Sequence, residues 1–348
     1  YTHQNLAVQP LKLRQMSCID LWVFPVDAVP MTALQFDYET LAFGPDLVGL
    51  CLLAMALDVL FGSAPSLRRL LPHPALIMAA LIGGLANRLN RAERGPTARL
   101  VRGLLVELVV IGAAFIAGTA VGYLTNLVPF FWLVSLLLLV SLTVLRGPFD
   151  EVGRVTRGYL ASGLAGTRKE AAMVIGPASA KMTEAQINRA MAEHLAGRYA
   201  DGLIGGIFWL LLLGWPGFFI WRAINIAGRL LDDDRSDMSL FGLIATRVNE
   251  AVGLLPALLA ALLFALAAIF VPGANPARAL SAMFNKNISS ARHSERLAVA
   301  AALAALKKQG QEKLMTGPDV VRAQYLYAVA SLLAFALVIV WATLRYAI

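Results

Sequence analysis

Charge is what this sequence has least of. Asp, Glu, Lys and Arg make up 15% of its 348 residues, against about 25% in soluble domains, and its mean hydropathy is +0.67. A soluble globular domain is excluded, and an integral membrane protein is what remains. Cysteine is almost missing: Cys18 and Cys51 stand far apart with no CxxC or Cys/His spacing, which leaves no disulfide framework or metal site. Cys51 reads as a small buried hydrophobe. With four histidines no Ser, His and acid set can be assembled, and His73 and His194 lack a second ligand three or four residues on. They read as hydrogen-bonding residues at the membrane boundary. Gly163 to Glu170 has glycines and Lys169 but not the spacing of a phosphate-binding loop. No basic stripe interleaved with aromatics occurs, so the net charge of +8 points to loops facing anionic lipid rather than to nucleic acid.

Residues 1–46 read as an extramembrane lead-in, because Asp20, Pro25, Asp27 and Pro30 interrupt its apolar run, and Met31 is a candidate start. Membrane segments fill 47–145: short apolar runs at Leu47–Gly62 and Ala75–Leu85, then a helical hairpin of Leu104–Tyr123 and Val128–Leu145 around Asn126. Between them Arg88 to Arg102 holds five arginines and one glutamate, which places that loop in the cytoplasm, and the hairpin returns 146–202 to the same side. In 146–202, Thr183 and Gln186 form a capping box, and Ile187, Met191 and Leu195 make one apolar stripe for the membrane or a neighbouring helix. The core membrane part is 203–272, with a polar loop at 222–250 and a span at Leu254–Val271. A basic helical loop at 273–324 and a last span at 325–348 complete an all-α polytopic protein of five to seven membrane segments.

The chain is organised around Asp201 to Pro256, where polar residues stand between segments apolar enough to enter a bilayer. Gly214, Pro216 and Gly217 break the apolar run of 203–227 at its centre. The break is either a kinked span or a re-entrant hairpin; the hairpin is favoured because it gathers the polar groups on one face. Asp233, Asp234 and Asp237 spell a DDxxD, a spacing that can converge on magnesium, but no second acidic motif accompanies it and a solvated acidic loop is the simpler reading.

Leu57-Asp58-Val59-Leu60-Phe61-Gly62, His73-Pro74, Val174-Ile175-Gly176, Glu193 through Asp201-Gly202, Phe208-Trp209, Pro216-Gly217, Arg222-Ala223-Ile224-Asn225 and Phe241-Gly242 to Pro256 occur in one order with even spacing. In this the chain resembles the adenosylcobinamide-phosphate synthase family, the CobD/CbiB-type membrane proteins of cobalamin biosynthesis. The resemblance implies that aminopropanol or its phosphate is joined to a corrinoid carboxyl group at the expense of ATP, with magnesium. It implies Glu193, Asp201, Arg222, Asn225, Arg247 and Glu250 as the site. Several of the family's polar positions are changed: Ser63, Pro177, Ala178, Ser179, Gly197, Arg198, Gly228, Asn249, Glu250 and Gly253 stand where it carries acids, Asn, Arg or Thr.

Two functions therefore compete. One is an ATP- and magnesium-dependent ligase acting on a corrinoid; the other is a silent descendant, without cofactor, that serves as scaffold or accessory subunit of a membrane complex. Membrane lipid and other membrane subunits are the expected partners, and the bacterial inner membrane the expected location. A third reading is a distant cousin of the family in cell-wall stress signalling.

Overall fold

The computed structural model describes residues 44–61, 74–91, 95–143, 145–232, 239–284, 295–306 and 315–347. Among these the protein is all helical. The elements are α1 (Leu47–Phe61), α2 (Pro74–Leu89), α3 (Pro96–Leu127), α4 (Phe131–Leu142), α5 (Arg146–Ile175), α6 (Glu184–Gly197), α7 (Gly205–Leu230), α8 (Ser239–Ala267), α9 (Pro276–Met283), α10 (Arg296–Leu306) and α11 (Gly317–Ala347). Asp233, Asp234, Asp237, Ser63 and His73 lie outside the described residues. Five helical runs, Pro96–Leu127, Phe131–Ile175, Glu184–Leu230, Leu240–Ala267 and Gly317–Arg345, are long and apolar enough to cross a membrane. This is a multi-pass membrane protein.

α3 begins earlier than its apolar run, at a proline in the first turn, where the missing N–H costs nothing. Arg99 and Arg102 thus ride on the helix and turn back to Asn90 Oδ1 and Leu89 O of the α2 end, at 3.2 Å each. The turn into α4 is closed by Thr125 and Ser135, whose hydroxyls lie 2.5 Å apart. The capping box forms as the sequence predicts: Thr183 N–H donates to Gln186 Oε1 at 2.8 Å and Gln186 N–H to Thr183 Oγ1 at 3.3 Å. Ile187, Met191 and Leu195 are buried, so their stripe meets neighbouring helices rather than lipid.

Two of the long runs double back. In α5, Ser162 and Gly163 leave helical geometry, Gly163 at φ +59°, and a Cβ on Gly166 would lie 2.2 Å from the Gly158 carbonyl oxygen. Only a helical hairpin brings those backbones together. In α7 the break is Gly214, at φ +69°, one that glycine alone adopts cheaply. A Cβ on Gly205 would lie 2.5 Å from the Trp221 indole, whereas sixteen residues of straight helix span about 24 Å. The 203–227 segment is a re-entrant hairpin and not a kinked span. Its tip is received by a GxxxG step of α3: a Cβ on Gly118 would stand 2.6 Å from Pro216 Cα, and one on Gly122 3.4 Å from Trp215. Trp215, Phe218 and Phe219 fill the bend edge to face.

Candidate functional site

The hairpin carries its second arm back to the turn it left. Residues Arg198–Ile204 form a π-helical turn between α6 and α7, a widening that leaves carbonyl groups without their usual helical donors. Trp221 Nε1 donates to the Asp201 carbonyl at 3.3 Å, and Arg222 donates from Nη2 to the Gly202 carbonyl at 2.8 Å. Arg222 is buried and lies 6.0 Å over the Phe218 ring, so its charge is spread between carbonyl dipoles and an aromatic face.

The Asp201 side chain, itself buried, accepts from Asn225 Nδ2 at 2.8 Å and from Arg229 Nη2 at 2.7 Å. Asn225 also donates to Asn249 Oδ1 of α8 at 3.3 Å. Arg229 bonds in addition to Glu295, the residue before α10, whose carboxyl is in hydrogen-bond contact with that of Asp201. Burial and the Asp201 charge push the Glu295 carboxyl up to about 7, against the pull of Arg229 downward. The cluster therefore joins a π turn, the returning arm of a hairpin, α8 and the start of α10 around two acids.

Of the residues singled out in the sequence, Asp201, Arg222 and Asn225 meet here. Glu193 does not: it pairs with Arg189 at 2.8 Å on the surface of α6. Arg247 and Glu250 pair with each other at 2.8 Å on α8, with Arg247 largely exposed and Glu250 Oε1 without a partner. His194 bonds to Glu151 of α5 at 2.8 Å, a structural contact and not a metal ligand arrangement. Arg229, Asn249 and Glu295 were missed. Arg229 was legible, because Arg222, Asn225 and Arg229 recur at i, i+3 and i+7 on one helical face. Glu295 was not, since it arrives from a segment 66 residues beyond Arg229, in a predominantly basic stretch.

Positions changed from the family pattern converge on this cluster. A Cβ on Gly197 would lie 3.4 Å from Glu295 Oε2, and one on Gly228 would lie 2.6 Å from Asn249 Cβ. Arg198, one turn from Gly202, has a buried Nε with no hydrogen-bond partner. Ala178 and Ser179 sit apart on the short helix Pro177–Lys181, where the Ser179 hydroxyl donates to the Arg168 carbonyl at 3.2 Å. The donor set does not fit magnesium, which takes several oxygen ligands: the Asp201 carboxylate is taken up by an amide and a guanidinium, and Glu295 by the same guanidinium and by the Asp201 carboxyl, so the two acids of the cluster are already bonded to each other and to a cation. Among the described residues no group of three His, Cys, Asp or Glu could hold a metal ion.

Comparison with known proteins agrees with the motif order. A family described as CobD/Cbib protein matches residues 51–314. The cobalamin biosynthesis protein CobD of Rhodobacter capsulatus is 30% identical over 217 residues, which is 62% of this chain and 67% of that protein. CobD of Rhizobium meliloti is 29% identical over 229 residues (65% of this chain, 69% of the relative), and a probable CobD of Pyrococcus furiosus is 28% identical over 212 residues (61% and 70%). No solved structure matches the chain. With the match covering three quarters of its length, the chain belongs to the CobD/CbiB family of cobalamin biosynthesis membrane proteins.

Proposed function

We propose that this chain is a catalytically silent member of its family, lodged in a bacterial inner membrane as scaffold or accessory subunit of a membrane complex. One observation carries this reading: the two acids at the centre of the fold share the guanidinium of Arg229, and Gly197, Gly228 and Asn249 stand beside them where the resemblance places further acids. Joining an amine to a carboxyl group at the expense of ATP calls for a divalent cation to hold the phosphates, and an acid already shared with a guanidinium is a poor ligand for one. The second reading is retained attachment of aminopropanol or its phosphate to a corrinoid carboxyl, with magnesium and ATP. It is favoured by the survival of Asp201 and Asn225 as a buried hydrogen-bonded pair, costly to keep without use.

The purified protein, given adenosylcobyric acid, aminopropanol phosphate, ATP and magnesium, is expected to form no corrinoid amide. Amide that disappears on Asp201→Ala would overturn the silent reading. Recovery of a stoichiometric partner from native membranes, together with absent product, is the positive result that the scaffold role requires.

A further inference from the structure

Another buried acid, Glu107, lies outside the cluster around Asp201. Glu107 stands within α3, one carboxyl among many aliphatic side chains of a helix long and apolar enough to cross a membrane. Its neighbours Leu105, Leu108 and Val109 are 52%, 56% and 54% exposed and face outward, where lipid would lie; Glu107 is 1% exposed and faces inward. It shares its face with Gly103, which meets Phe241 of α8, and Gly118, which meets the hairpin tip at Pro216.

Neither carboxyl oxygen of Glu107 has a hydrogen-bond partner. The cations on the helices packed against α3, and on α3 itself, are engaged elsewhere or point away. Arg222 serves the Gly202 carbonyl, Arg229 serves Asp201 and Glu295, and Arg247 serves Glu250. Arg99 and Arg102 reach back to Asn90 and Leu89, and Arg88 is exposed at the end of α2. Glu250 is the one acid on α8 among these groups, and it is held by Arg247. An ionised carboxylate in that position would lose its hydration and gain no compensating charge, a cost far above that of burying the neutral acid.

We propose that Glu107 is an intramembrane proton-binding site, a carboxyl held as the neutral acid on the face of α3 that packs against the re-entrant hairpin and α8. The group takes a proton onto one carboxyl oxygen and gives it up without any covalent change, and the ligand it selects is a proton rather than a metal ion. The assignment is independent of whether the cluster at Asp201 is active.

Infrared spectra of the purified full chain near neutral pH, wild type against Glu107→Gln, test it. The expected result is loss of one protonated-carboxyl C=O band in the variant, with the carboxylate stretches unchanged. Loss of carboxylate absorbance instead, with the protonated-carboxyl region intact, overturns the proposal, because it means that Glu107 is ionised against a cation. Gln has nearly the shape of the neutral acid, and Glu107→Leu supplies a second variant without any polar group to bury. Leu is expected to give the same spectral difference, and a carboxylate loss in either variant counts against the proposal.

Discussion

Arg229 holds two carboxylates at once, and removing it exposes what the pair costs. With Arg229→Ala, Asp201 and Glu295 lose the guanidinium bonded to both and keep only the more distant charges of Arg198 and Arg222; breaking a fully buried pair outright costs about 3–5 kcal/mol. Because the Arg229 side chain is 35% exposed, the expected loss is smaller, about 2–3 kcal/mol, seen as a lower melting temperature in detergent. Adding Glu295→Gln to that variant should restore part of it. Arg222→Ala leaves the π-turn carbonyl of Gly202 without its donor, at a cost of about 1–3 kcal/mol; an unchanged melting temperature would mean that Arg222 merely snorkels. Glu295 also gives a pH signature. Its carboxyl binds a proton more tightly in the folded chain, at about 7, than at its ordinary 4.5, so the folded state holds more protons across that window. The contribution of this group to stability must then fall as pH rises from about 4.5 to about 7. Melting curves of wild type and Glu295→Gln should separate across that window, with the wild type losing ground as pH rises.

At the scale of elements, the hairpin was legible because Gly214, Pro216 and Gly217 break an apolar run whose flanks are polar. What the sequence did not reveal is how closely the two arms approach, since that depends on Gly205 and Gly206 lying under Trp221 and Phe218 across the bend. The α5 hairpin was illegible for the same reason: Gly158 and Gly166 carry no periodic signal, and only their contact shows their use. The ends of α3 and α8 were misjudged where arginines and Asn249-Glu250 continue a helix that hydropathy alone would stop. Substituting Gly205→Val should destabilise the fold by about 1–3 kcal/mol or more, because the buried Trp221 indole has no room to move away. Gly84→Ala, at a helical position with nothing within 4 Å, should be neutral or slightly stabilising. Equal melting temperatures for the two variants would contradict the close packing of the arms.

For the molecule as a whole, family membership was readable from motif order, while the state of the site was not. Ordered motifs survive as fold, but Arg229, Asn249 and Glu295 come together only through tertiary structure, and they decide what the acids can bind. The sidedness of the basic loops follows from charge, and single cysteines at Ala92 and Lys169 should label from the same side of sealed vesicles. Lys169 is exposed, whereas a side chain at nearby Gly166 would strike the Gly158 carbonyl. In the proposed reading the acids around Asp201 serve arginine and not a metal ion. Manganese(II) titrated into the purified chain and followed by electron paramagnetic resonance tests this most directly. No saturable site that depends on Asp201 or Glu295 is expected; a stoichiometric site abolished by Asp201→Ala would show that these acids bind a metal ion after all.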